Sequence, residues 1–90
     1  MAIYAIISQP NTNAPALKDA ITANYPIHFP MEGGVGWLVA TSGPASGISD
    51  KLGITNGTAG AGIVVEVASY FGRANPNIWS WIKTNWEAAP

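Results

Sequence analysis

The run from Ala2 to Ile7 constrains this chain most, because every side chain in it is apolar and most are β-branched or aromatic. A short, uninterrupted stretch of that kind reads as a buried strand. A polar segment, Ser8 to Asn13, follows it. Asn13 can cap a helix, with Pro15 tolerated in the first turn. Leu17, Ile21 and Tyr25 then recur at i, i+4 and i+8 beside Ala20, while Lys18, Asp19 and Thr22 take the other faces. This spacing predicts an amphipathic helix that ends before Pro26.

The pattern then changes period. Ile27-His28-Phe29, flanked by Pro26 and Pro30, reads as an edge strand, and Met31 to Gly34 as a turn. In the next strand Val35, Trp37, Val39 and Thr41 share one face, and Gly36, Leu38 and Ala40 the other, so the two segments form a hairpin. Ser42-Gly43-Pro44 opens a second helix with Ser42 as its cap. Ala45, Ile48 and Leu52 share a face of that helix, and Gly53 suits the C′ position. Ile54 to Gly62 reads as a flexible glycine-rich loop. Ile63 to Ser69 alternates as a last strand, and Tyr70 to Ala74 leaves the sheet. Asn75-Pro76 starts a third helix, on which Ile78, Trp79, Ile82 and Trp86 fall within about a 100° arc with Trp81 at its margin.

The order is therefore βαββαβ with an added C-terminal helix, in one domain spanning residues 1–90. The first and third strands each need a helical crossover to a parallel neighbour. A split βαβ arrangement satisfies both with one antiparallel four-stranded sheet, which gives an α+β, ferredoxin-like fold.

Composition excludes several functions. Lys and Arg number 4 against 5 Asp and Glu, too few for the basic stripe that a long nucleic acid requires. Charged residues make up 10% of the chain, where about 25% is usual. With no cysteine there is no disulfide framework or thiolate metal site. No apolar run approaches the ~18 residues that span a bilayer. Met1-Ala2-Ile3-Tyr4 lacks the marks of a signal peptide, so a cytoplasmic location is expected. The chain also carries 4 Trp, 3 Tyr and 2 Phe with few polar residues to surround them. A lone copy would leave apolar patches in water, so a homodimer or larger assembly, or a ligand or protein partner over one face, is expected.

Several elements together resemble a known group. These are the first strand Ala2-Ile3-Tyr4-Ala5-Ile6-Ile7, the strand Gly36-Trp37-Leu38-Val39-Ala40-Thr41, and the helix with Ile48-Ser49-Asp50-Lys51-Leu52. The strand Val64-Val65-Glu66-Val67 and the end Trp79-Ser80-Trp81-Ile82-Lys83 complete the likeness. The chain is similar to small ferredoxin-like proteins related to the small nuclease subunit of the CRISPR adaptation complex. The resemblance implies the fold and a dimer. That family's nuclease uses an acidic residue just after the first strand to hold a divalent metal at the dimer axis. Here Ser8-Gln9 stand in that place, and the first acid is Asp19. Hard cations want carboxylate oxygens, so the resemblance does not carry the activity with it.

The remaining candidates are read residue by residue. His28, the single histidine, sits between Ile27 and Phe29 and reads as structural. Asp19 and Asp50 read as solvated helix charges and Glu32 as a turn residue. Glu66 interrupts an apolar strand, so it is expected to pair with Arg73 or Lys83, to be exposed on the open sheet face, to act as a ligand-binding acid or, last, to serve as a catalytic acid or base. Gly57-Thr58-Ala59-Gly60-Ala61-Gly62 precedes a strand rather than a helix and lacks a following Lys-Ser/Thr, so it is a connector and not a phosphate cradle. Tyr70 and Phe71, beside Arg73, Asn75 and Asn77, lie at a strand-to-helix loop and suit a flat ligand with polar edges. Gln9, Asn11 and Asn13 lead into another helix N-terminus, and a dimer could bring the two segments together.

The expected function is a non-catalytic, homo-oligomeric binding protein that uses no cofactor. Its expected ligand is a small nucleotide-type molecule such as a cyclic nucleotide, sequestered as a viral counter-defence factor would do. The binding set is Gln9, Asn11, Asn13, Glu66, Tyr70, Phe71, Arg73, Asn75 and Asn77, with no catalytic or metal-ligating residue assigned. The alternatives are a structural or protein-interaction module and a metal-dependent nuclease of the resembled family.

Overall fold

The computed structural model describes residues 2–9, 14–31, 36–69, 72 and 76–88. The expected caps Asn13 and Asn75 lie outside the described residues. In chain order the elements are β1 (Ala2–Ser8), α1 (Ala14–Asn24), β2 (His28–Pro30), β3 (Gly36–Thr41), α2 (Ala45–Leu52), β4 (Gly62–Glu66) and α3 (Pro76–Ala88). The strands form one sheet in the order β2-β3-β1-β4, with every neighbouring pair antiparallel. The result is a small α+β fold with a four-stranded antiparallel sheet and three helices.

The alternation within the strands decides which helix covers which face. Tyr4 and Ile6 on β1, Trp37 and Val39 on β3, and Val64 on β4 share one face, against Leu17 and Ile21 of α1 and Ile48 and Leu52 of α2. Ile3 on β1 and Leu38 and Ala40 on β3 share the other face, against Ile78, Trp79, Ile82 and Trp86 of α3. The first side is the larger core, and the i, i+4 stripe of α1 meets it as the sequence implies, with Leu17 and Ile21 fully buried. On the second side Phe29 of β2 meets Trp81 at 6.0 Å between ring centroids, tilted by 47°.

The start of α2 differs from the sequence expectation. Pro44, not Ser42, occupies the N-cap, in extended conformation at φ −79° and ψ 157°, and no side chain caps the helix. The Pro44 carbonyl accepts from the Gly47 and Ile48 amides at 3.1 and 3.4 Å. Gly43 takes φ +100°, which turns the chain just before the helix and leaves Ser42 too far upstream to reach the first-turn amides. At the other end Gly53 takes the left-handed C-cap conformation, as expected.

The stretch after α2, read from the sequence as a flexible loop, is a chain of hydrogen-bonded turns. Ala59 donates to the Gly53 carbonyl at 2.9 Å, Gly57 to Ile54 at 3.1 Å, and Gly60 to Gly57 at 3.1 Å. The Asn56 side-chain oxygen accepts from the Thr58 amide and hydroxyl at 2.9 and 2.6 Å. The loop also inserts Ala59 into the larger core. β4 ends at Glu66 rather than Ser69, although the Val67 amide still donates to Ile3 at 2.8 Å. Gly36 is needed where β3 begins, since a Cβ there would run into the Ile6 carbonyl oxygen. Among the described residues no helix is long and apolar enough to cross a membrane.

Candidate functional site

Of the residues expected to bind a ligand, Gln9, Glu66 and Asn77 are described. Asn11, Asn13, Tyr70, Phe71, Arg73 and Asn75 lie outside the described residues. β1 and β4 run antiparallel, with Tyr4 opposite Glu66 and Ser8 opposite Gly62. Gln9 continues that ladder, its amide donating to the Ala61 carbonyl at 3.2 Å, while its side-chain amide donates to the Ser8 carbonyl at 3.3 Å. Gln9 and Glu66 therefore stand at opposite ends of the β1–β4 ladder, about 16 Å apart along it at ~3.3 Å per residue. Asn77 is exposed in the first turn of α3, which covers the other face of the sheet from the one Glu66 leaves. Within one chain these three residues do not converge.

Glu66 is exposed, but beside Tyr4 on the face that α1 and α2 cover rather than on an open sheet face. Its neighbour across the ladder is Tyr4, which is only 2% exposed. The sequence gives Tyr4 no more weight than the rest of its apolar run, although it carries the one hydroxyl there. That hydroxyl donates to the Gly43 carbonyl in the turn before α2. Burial raises the Tyr4 pKa above its ordinary value of 10.0, and the negative charge of Glu66 raises it further. Burial raises Tyr25 in the same direction. The Lys51 ammonium lies 5.6 Å from the centre of the Tyr25 ring.

This arrangement makes a pH prediction. A tyrosine whose folded pKa exceeds its unfolded value stabilises the fold fully below the unfolded value, and loses that contribution as pH rises through the folded one. Melting temperature should therefore fall as pH climbs above about 10. Tyr4→Phe should cost about 0.5–1.5 kcal/mol at neutral pH through the lost hydrogen bond. It should also flatten the alkaline fall, leaving the part due to Tyr25. Thermal melts of both proteins from neutral to alkaline pH decide this, and parallel curves would refute the role given to the Tyr4 hydroxyl.

His28 is structural here. Its Nδ1 lies 2.7 Å from the Tyr25 carbonyl oxygen, an acceptor only, so Nδ1 carries the proton and the ring closes the turn between α1 and β2. Among the described residues no three His, Asp or Glu side chains are grouped closely enough to hold one metal ion.

The most distinctive surface feature is apolar. Ile63 and Val65 on β4 are 48% and 41% exposed, and Ile7, opposite Ile63 on β1, is 38% exposed. All three lie on the face that α3 covers farther across the sheet, toward β3 and β2. The alternation along β4 groups Ile63 with Val65, but only the position of α3 shows that they stay uncovered.

No family model, curated protein or solved structure matches this chain. The functional reading accordingly stands on the residues themselves.

Proposed function

We propose that this chain is a non-catalytic, self-associating binding domain whose ligand is a small, flat, nucleotide-type molecule, cyclic nucleotides included. The observation that carries the reading is the bare apolar strip of Ile7, Ile63 and Val65 on a chain with so few charges. Such a strip calls for a covering partner. We infer a ferredoxin-like arrangement for the first six elements, with α3 added. The chain order of the elements and the central position of β1 and β3 support it. The likeness to the small CRISPR adaptation subunit is part of the same reading, carried as fold and self-association without the nuclease.

The ligand class rests on the sequence around Tyr70, Phe71 and Arg73, where aromatic planes and a guanidinium adjoin the amides Asn75 and Asn77. A small anion needs one or two cationic partners, which the chain has, whereas a long polyanion needs many. The separation of Gln9 from Glu66 in one chain favours a site completed by a second copy.

The test is a melt in the presence of a panel of linear and cyclic nucleotides. A ligand at 100 times its Kd adds about 2.7 kcal/mol of apparent stability. For a domain of this size that is an upward shift of about 10 °C or more. No shift across the whole panel would overturn the ligand assignment and leave the apolar strip to protein contacts alone.

A further inference from the structure

We propose that β4 is the self-association edge. It pairs antiparallel with β4 of a second copy about a two-fold axis at Val64, making one continuous sheet.

The backbone supplies the first argument. Val67 donates to Ile3 and Gln9 donates to Ala61, so the odd-numbered residues of β4 turn their amides and carbonyls toward β1. In an antiparallel ladder the alternate residues point the other way, so Gly62, Val64 and Glu66 direct theirs to the open edge of the sheet. β4 is the terminal strand in the sheet order. β4 holds no Lys and no Pro, and its one charge, Glu66, is its last residue, so little blunts the edge.

The register supplies the second argument. With the axis at Val64, Val64 meets its own copy, Ile63 meets Val65 of the second chain, and Gly62 meets Glu66. The two most exposed apolar side chains of the strand then flank each other on one face. The acidic residue faces glycine rather than its own copy, so no like charges oppose. A two-fold axis makes both halves of the contact identical, as closed dimers require.

This interface rests on the self-association proposed above.

Pairing through a five-residue strand is at the small, transient end of specific interfaces, below about 1,200 Å². Association is therefore read by sedimentation velocity at about 100 μM protein, a concentration suited to so small a contact. The wild type should sediment as a dimer, and Val65→Lys as a single chain with an unchanged circular dichroism spectrum. Because the chain has no cysteine, register is read directly. An oxidised equimolar mixture of Ile63→Cys and Val65→Cys should cross-link well above either variant alone. A monomeric wild type, a dimer that survives Val65→Lys, or no excess cross-linking in the mixture would overturn the proposal. A dimer with the expected cross-link and no nucleotide response would sink the ligand reading while leaving the interface standing.

Discussion

Trp37→Ala should lower the free energy of unfolding by about 3–5 kcal/mol, the range for deleting a buried aromatic side chain. Trp37 lies on β3, an interior strand, opposite Ile6 of β1 and Pro30 of β2. It is 7% exposed and belongs to the core that α1 and α2 close. Its neighbours there, Ile6, Leu17, Ile21 and Val39, are fully buried on strands and helices that cannot shift independently to fill the gap. Small domains have about 5–15 kcal/mol in total, so the loss takes a large share of the stability. The expected result is a much lower urea midpoint, with all probes changing together because this core joins both helices to the sheet. Trp37→Phe keeps most of the ring volume and should fall between the two. A melt unchanged in Trp37→Ala would mean that the indole does not fill this core.

What the sequence discloses and what it conceals divide along a physical line. Patterns internal to one element are legible. The i, i+4, i+8 series Leu17, Ile21, Tyr25 marks the buried stripe of α1, Gly53 marks the end of α2, and Pro76 marks the first residue of α3. Features set by contacts between elements are not. Ser42 looks like a cap by residue type, yet the turn at Gly43 and Pro44 fixes where α2 begins. Ala59 looks like one more small residue in a loosely built loop, yet it plugs the core. The site divides in the same way. Glu66 stands out from its strand as an acid among apolar residues, but its partner Tyr4 follows from the β1–β4 register, which no local pattern supplies. That Gln9 and Glu66 sit at opposite ends of one strand pair likewise needs the direction of β4 relative to β1. The strip of Ile7, Ile63 and Val65 is bare because α3 lies over Ile3, Leu38 and Ala40 instead, and the placement of that helix is set by docking rather than by its own periodicity.

Ile82→Asp should be as damaging as Trp37→Ala, by a different route. Ile82 is 5% exposed at the centre of the second cluster, against Ile3, Leu38 and Ala40. A carboxylate there must lose its water or lift the helix away, at a cost of about 4 kcal/mol. Lifting is the easier response, since α3 is the terminal element and has 13 residues, a length at which an isolated helix is marginal in water. Once undocked, α3 should unwind. Helical ellipticity should fall, and tryptophan emission should shift to the red as the half-buried Trp79, Trp81 and Trp86 reach solvent. The bared sheet face should bind a hydrophobic dye at temperatures where the wild type does not. Trp37 lies on the other face, so its core should still melt cooperatively, which separates this variant from Trp37→Ala. Ile82→Val, which keeps the apolar contact, should cost only about 0.5–1.5 kcal/mol and leave the emission unmoved. If Ile82→Asp matched the wild type in melt and emission, α3 would not be held by this face. Its docking would then no longer explain why Ile7, Ile63 and Val65 are left bare.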